Sequence, residues 1–153
     1  MSYQFHEAML FDPQNLINQL CAQGMQLEGE AKPEEAAKLF RQAWDDARNT
    51  AEKFIAAHYV ARHQNTIADK LKWDETALNL ALELDNPELN AVFPSLYLNA
   101  AKCYEDLKNF DKAAENYQSA LRYTVFLPED GYGNMIRSGV YAGIERVRLS
   151  AGD

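Results

Sequence analysis

Two sets of residues in this chain repeat with the same internal spacing. Gly24 is followed by Ala36, Phe40 and Ala43, at offsets of twelve, sixteen and nineteen; Ala101 is followed by Ala113, Tyr117 and Ala120 at the same three offsets. Self-similarity of this kind marks a chain built from copies of one supersecondary unit, and such a unit cannot bury its apolar face alone. Each set places one small residue on a first helix and three spaced residues on a second. Small residues let two antiparallel helices approach closely, and the aromatic fills the space between the pair and its neighbour.

The rest of the chain agrees with a helical reading. Only 7 of 153 residues are Gly and 5 are Pro, and long stretches are rich in the good helix formers Ala, Leu, Glu, Lys and Gln. Asp12-Pro13 reads as an N-cap with Pro at the first helical position, Asn86-Pro87-Glu88 repeats that signal, and Pro33-Glu34-Glu35 opens a helix with acids in its first turn. These signals predict seven helices, at about 13–29, 33–47, 50–66, 68–84, 87–107, 110–126 and 133–148. Pro94 should kink the fifth helix or mark its true start. The fourth carries Trp73, Ala77, Leu80 and Leu84 on one face and Leu71, Leu78 and Leu82 on the next, as a helix sandwiched between neighbours would. On the last, Ile136, Val140, Ile144 and Val147 face inward while Arg137, Glu145, Arg146 and Arg148 stay wet; Gly139 and Gly143 allow close approach to the preceding helix. Residues 1–12, with Phe5, Met9, Leu10 and Phe11 in no clear period, are expected to form an arm on the first helix pair. The whole chain, 1–153, is expected to be one domain.

The repeated pattern resembles the tetratricopeptide repeat, a 34-residue helix–turn–helix unit with small residues at positions 8, 20 and 27 and an aromatic at position 24. Leu20 and Tyr97 fall on its position 4, Tyr104 on position 11, and Leu27 stands in for that Tyr in the first unit. The run from Tyr104 to Ala113 reads like that repeat throughout, except that Lys108 replaces the usual turn glycine. The step from Ala36 to Ala113 is two periods of thirty-four and nine more, so nine extra residues belong in or around the second unit. Spanning about residues 14–127, the resemblance implies an all-α fold, a right-handed stack of antiparallel helix pairs. There would be about three repeats, at 13–48, 50–85 (irregular) and 87–127, with a C-terminal capping helix at 133–148. The segments Ala57 to Gln64, Pro94 to Asn99 and Asp130 to Gly133 are also similar to a group of small free-standing bacterial tetratricopeptide proteins.

Charge and motif content exclude several functions. Lys plus Arg number 15 and Asp plus Glu 23, a net charge of −8, which argues against nucleic acid and against anionic membrane surfaces. No stretch is apolar enough to span a membrane, and the first residues do not read as a secretory signal. Cys21 and Cys103 are far apart in the chain, form no metal or disulfide motif and point to a reducing cytoplasm. His6-Glu7 lacks the second histidine of HExxH, because the fifth residue is Leu10. His58 and His63 are five apart, about 140° around a helix, which does not suit one metal. Gly131-x-Gly133-x-x-Ile136 lacks the third glycine of a dinucleotide fingerprint. The adjacent acids Glu34/Glu35, Asp45/Asp46, Glu105/Asp106 and Glu129/Asp130 read as solvated faces, and Trp44 and Trp73 as packing residues. No cofactor, no metal and no catalytic group are expected.

The resemblance implies that the first helix of each unit lines a concave groove through positions 2, 5, 9 and 12. These fall on Asn18, Cys21, Met25 and Glu28 in the first unit and on Ser95, Leu98, Lys102 and Glu105 in the third. Taking Ala61 as the small position of the middle unit adds Ile55, His58, Arg62 and Asn65, the last three sharing one helical face. Arg62 offers a fork for a carboxylate or phosphate, Asn65 can bond peptide backbone, and His58 adds pH sensitivity, unless Arg62 instead pairs with a neighbouring acid. The carboxylate clamp by which some members hold chaperone tails is missing. Met25 follows Gly24 where Asn would stand, and no Lys or Arg occurs between Pro94 and Ala101. The expected function is a non-catalytic interaction module for a neutral to basic peptide or protein segment. The alternatives are an enzyme or small-molecule binder using His58 and Arg62, or a structural protein that self-associates into a homo-oligomer.

Overall fold

The computed structural model describes residue 10 and residues 12–151. Phe5, Met9 and Phe11 of the expected arm lie outside the described residues. Among the described residues every regular element is helical. There are seven α-helices: α1 (Leu16–Gly29), α2 (Pro33–Asp46), α3 (Thr50–Val60), α4 (Ile67–Leu84), α5 (Phe93–Asp106), α6 (Phe110–Tyr123) and α7 (Gly131–Ala151). Short 3₁₀ turns at Ala61–His63, Pro87–Ala91 and Thr124–Phe126 extend or join them. Each helix packs on its neighbour in the chain, and α1 also meets α3 and α5 meets α7.

The helix boundaries repeat as the residues do. The bounds of α1 and α2 reappear as those of α5 and α6 at one common offset, the same step that separates Ala36 from Ala113. The starts of α3 and α4 follow those of α1 and α2 by one repeat period of thirty-four. The nine extra residues are now located: α4 has 18 residues where α2 and α6 have 14, and the five-residue 3₁₀ turn Pro87–Ala91 precedes α5. Pro94 sits in the first turn of α5, where its missing N–H breaks no bond, so it marks a helix start and not a kink.

Several expected boundaries shift for local reasons. The first helix does not open at Pro13. Asp12 accepts the Gln14 N–H in a turn, and Asn15 is the cap, its Oδ1 accepting from the N–H groups of Ile17 and Asn18. Asn49 repeats that cap one period further on. The third helix stops at Val60 and tightens to 3₁₀ through His63, so it does not reach residue 66. Thr66 instead caps α4 by accepting from Asp69 N–H. Leu82, placed in sequence on a packed face, is 45 % exposed.

Two contacts set the spacing of the pairs. A Cβ on Gly24 would lie 2.3 Å from the Phe40 ring, and one on Gly143 would lie 2.2 Å from the Tyr117 ring. Phe40 and Tyr117 are both fully buried. Phe40 also stacks on Tyr59 of α3 at 5.1 Å between ring centroids, so one ring ties α1, α2 and α3. Gly139 is less tightly held, against Leu98 of α5 at 3.2 Å.

The middle pair keeps the spacing and changes the residues. One period after Gly24, Ala36, Phe40 and Ala43 stand His58, Lys70, Asp74 and Ala77. Asp74 is buried where its counterparts are aromatic, with Lys70 Nζ at 2.6 Å and Cys103 Sγ at 3.5 Å from the same carboxylate oxygen. This register puts His58, not Ala61, at the place of Gly24.

The core of the described residues is divided into four clusters of buried side chains that together involve all seven helices. One cluster of buried side chains joins α1, α2 and α3, and two join α5, α6 and α7. Between them a central cluster gathers Phe54, Ala57, Ala77, Leu78, Ala81, Leu89, Phe93 and Leu96, and takes in Leu10 from before α1.

The turns after α1 and α5 are also copies. Ala31 and Lys108 both adopt positive φ, 61° and 66°. The N–H groups of Lys32 and Asn109 bond back to Leu27 O and Tyr104 O at 2.9 Å, the helix-ending motif that normally uses Gly. Replacing Lys108 by Gly relieves the left-handed strain and is expected to raise stability by about 0.5–1 kcal/mol, read as a higher midpoint in urea. Gly143→Ala forces Cβ into a ring anchored at its hydroxyl. Its expected cost is about 1–3 kcal/mol despite the better helix propensity of Ala.

Candidate functional site

A cavity of about 280 Å³ opens between α1 and α3, with Val92, before α5, also in its lining. Asn18, Cys21, Ala22 and Met25 line it from α1, and Phe54, Ile55, His58 and Tyr59 from α3. The α1 residues recur at three and four positions, which turns one helical stripe toward the opening. Seven of the nine lining residues are apolar or aromatic side chains, and the two polar ones, Asn18 and His58, are on opposite walls.

The polar groups are held by their surroundings. Asn18 Nδ2 donates to Asp12 O at 2.9 Å and to Leu10 O at 3.3 Å, which fastens the segment before α1 to the rim. Burial among Phe54 and Tyr59 lowers the pKa of His58 below its ordinary value, and the positive charges of Arg62 and Lys70 push the same way. Its ring is therefore neutral near pH 7. Cys21 is buried and its thiol is pushed up to about 12 by that burial, so it stays protonated and packs as a small apolar group.

The structure brings together five residues singled out in sequence: Asn18, Cys21, Met25, Ile55 and His58. The others lie elsewhere. Arg62 is in the 3₁₀ turn after α3, its Nη2 3.0 Å from Glu28 Oε1, and its guanidinium lies over the Tyr59 ring. His63 Nε2 meets the other oxygen of Glu28 at 2.6 Å. Glu28 thus joins the end of α1 to the end of α3. Asn65 is exposed in the loop before α4, so His58, Arg62 and Asn65 do not share a helical face. Ser95 donates its hydroxyl to Val92 O, Leu98 packs under Gly139, and Lys102 pairs with Asp106 at 2.6 Å.

Glu105 stands to α5 as Glu28 stands to α1, and it does the same work for the later helices. Arg146 of α7 reaches it with Nε at 2.8 Å and Nη2 at 3.1 Å, and the Tyr117 hydroxyl donates to it at 2.7 Å. These hydrogen bonds from Arg146 hold the Glu105 carboxyl below the usual range, while burial and the adjacent carboxylate push the Tyr117 hydroxyl up. Among the described residues no three His, Cys, Asp or Glu side chains converge as a metal-holding group, and no helix is long and apolar enough to cross a membrane.

Sequence reasoning missed Ala22, Phe54, Tyr59 and Val92. Tyr59 was within reach: it lies one period after Met25, and a register counted from the Asn15 and Asn49 caps would have found it. Glu52 was also missed. It is buried, accepts from Asn15 Nδ2 and from Arg48 N–H, both at 2.9 Å, and so ties the cap of α1 to the start of α3. Comparison with models of protein families, with curated proteins and with solved structures finds no match to the chain.

His58 makes stability pH-dependent in a defined direction. Its folded pKa lies below the ordinary 6.5, so the unfolded chain takes the proton first. The neutral ring's contribution is complete above about pH 6.5 and is lost as pH falls from there toward the lowered value. Between about pH 7.5 and about pH 5.5 the unfolding free energy of the wild type should fall more than that of His58→Leu, measured by urea denaturation at each pH.

Proposed function

We propose that the chain is a tetratricopeptide-like stack and acts as a non-catalytic binding module. Its pocket between α1 and α3 receives an apolar anchor side chain from a peptide or protein segment. The paired helix boundaries and their regular spacing support the architecture. The observation that carries the function is the pocket itself: a half-open cavity of about 280 Å³ with apolar walls, on the face of α1 that such stacks turn to their partners. That volume is near the lower end for a small-molecule site and suits one large side chain with its backbone left outside.

The surroundings agree with a segment, not a reaction. The neutral His58 ring and the protonated Cys21 thiol leave the walls uncharged, so the best anchor is aliphatic or aromatic. Met25, 46 % exposed at the mouth, is flexible enough to adapt to different anchors. Arg62 is engaged by Glu28 and takes no part in the pocket lining. The net charge of −8 favours neutral or basic residues flanking the anchor.

A peptide library selected on the wild type would test this, with Ala22→Trp filling the mouth and Gln23→Trp adding the same ring outside the lining. Both positions are exposed, so neither change burdens the core. Selected peptides should share an apolar residue, lose at least about tenfold in affinity on Ala22→Trp, and keep it on Gln23→Trp. Equal binding to both variants would move the site away from the pocket, and selection of no peptide would leave a small ligand as the better reading.

A further inference from the structure

Two polar side chains in the wall of the pocket between α1 and α3 make no hydrogen bond among the described residues. They are the His58 ring, packed against Phe54 and Tyr59, and the Tyr59 hydroxyl. Elsewhere in the stack the same groups are partnered. His63 Nε2 meets Glu28 at 2.6 Å, and the Tyr117 hydroxyl donates to Glu105 at 2.7 Å. The carboxylates near the pocket are already taken, Glu28 by Arg62 and His63 and Asp74 by Lys70. On the opposite wall Asn18 Nδ2 is committed to Leu10 O and Asp12 O, and its Oδ1 makes no bond.

These groups constrain what can enter. His58 and Tyr59 are partly exposed, so water satisfies them while the pocket is open. An aliphatic or phenyl anchor would expel that water and offer no hydrogen bond in return, and stranding a polar group costs more than a bond to it gains.

We infer that the preferred anchor is the phenol ring of a tyrosine, with its hydroxyl hydrogen-bonded to His58. This rests on reading the pocket as an anchor site and names the anchor's chemistry. The neutral imidazole presents one donor and one acceptor nitrogen, and a hydroxyl can answer either, whichever tautomer is present. An indole N–H answers only the acceptor. A Ser or Thr hydroxyl lacks the ring that would fill about 280 Å³ and cover Met25 and Ile55. A charged tip would lose its water with no free counter-ion, because Arg62 and Lys70 are paired within the chain.

The side-chain analogues p-cresol and toluene test this directly, titrated into the full chain and followed by NMR at the Met25 and Ile55 methyl groups that line the cavity. A purely apolar pocket ranks toluene first, since the phenol must give up its hydration. The wild type should instead bind p-cresol tighter, by about tenfold. In His58→Leu the order should reverse, and Ala22→Trp, which fills the mouth, should block both probes. Toluene binding as tightly as p-cresol or tighter in the wild type, or a p-cresol preference that survives in a folded His58→Leu, would overturn the inference and leave the anchor pocket standing. If neither probe moves the methyl resonances, or Ala22→Trp binds both as the wild type does, the pocket reading falls and the inference with it. The wild-type ranking decides the matter even where His58→Leu fails to fold.

Discussion

The packing of an aromatic ring against a glycine sets the geometry of both ends of this molecule. Phe40 lies where a Cβ on Gly24 would be, and Tyr117 where one on Gly143 would be. Without a side chain on one helix, the ring of the next lies directly on its backbone, in the space that a Cβ would fill. The ring then meets the following helix, as Phe40 does Tyr59, so a local pair becomes part of a stack. The pocket follows from this. Its two walls, α1 and α3, are both held by Phe40, and Cys21 and Tyr59 face each other across the space that remains.

The ends of the helices are held by another device, used twice. Glu28 and Glu105, at equivalent places on α1 and α5, each close the C-terminal turn of their helix onto a basic side chain from the second helix after it. An exposed ion pair contributes little, but both glutamates are mostly shielded; Glu28 meets Arg62 and His63, and Glu105 accepts hydrogen bonds from Arg146 and the Tyr117 hydroxyl, which fixes the direction of each link. These acids are positioned like groove residues and used as fasteners. The middle pair departs from both devices, placing buried Asp74 in the aromatic position and meeting its charge with Lys70 and the Cys103 thiol. Burial raises the Asp74 pKa and the Lys70 contact opposes that shift, the balance expected when an ion pair replaces a ring in a packed interior.

How much of this was legible in sequence depended on the range of the interaction. The helices were readable because caps and prolines act within a few residues, and the outer pairs because Gly24, Phe40, Ala101 and Tyr117 keep residue type as well as spacing. The middle register was not readable from residue type, since His58, Lys70 and Asp74 share no chemistry with Gly24, Ala36 and Phe40. Ala61 was a natural choice for the small position and is three residues out of step. Of the groove candidates, the short side chains of Cys21 and Asn18 stayed where helical geometry pointed them. The long ones, Glu28, Arg62, Lys102 and Glu105, went to whatever opposite charge lay within reach. Arg146 meets Glu105 from far along the chain, and no local pattern encodes that.

Leu10 gives the stack an order of assembly. The cluster that joins α1, α2 and α3 needs no residue beyond Val60 apart from the edge of Trp73, so that end can form while the remainder of the chain is still being made. Leu10, although it comes first, is buried among Phe54, Ala77, Leu89, Phe93 and Leu96. Its burial is complete only once α5 has joined the earlier helices, because Phe93 and Leu96 belong to the same cluster as Phe54 and Ala57.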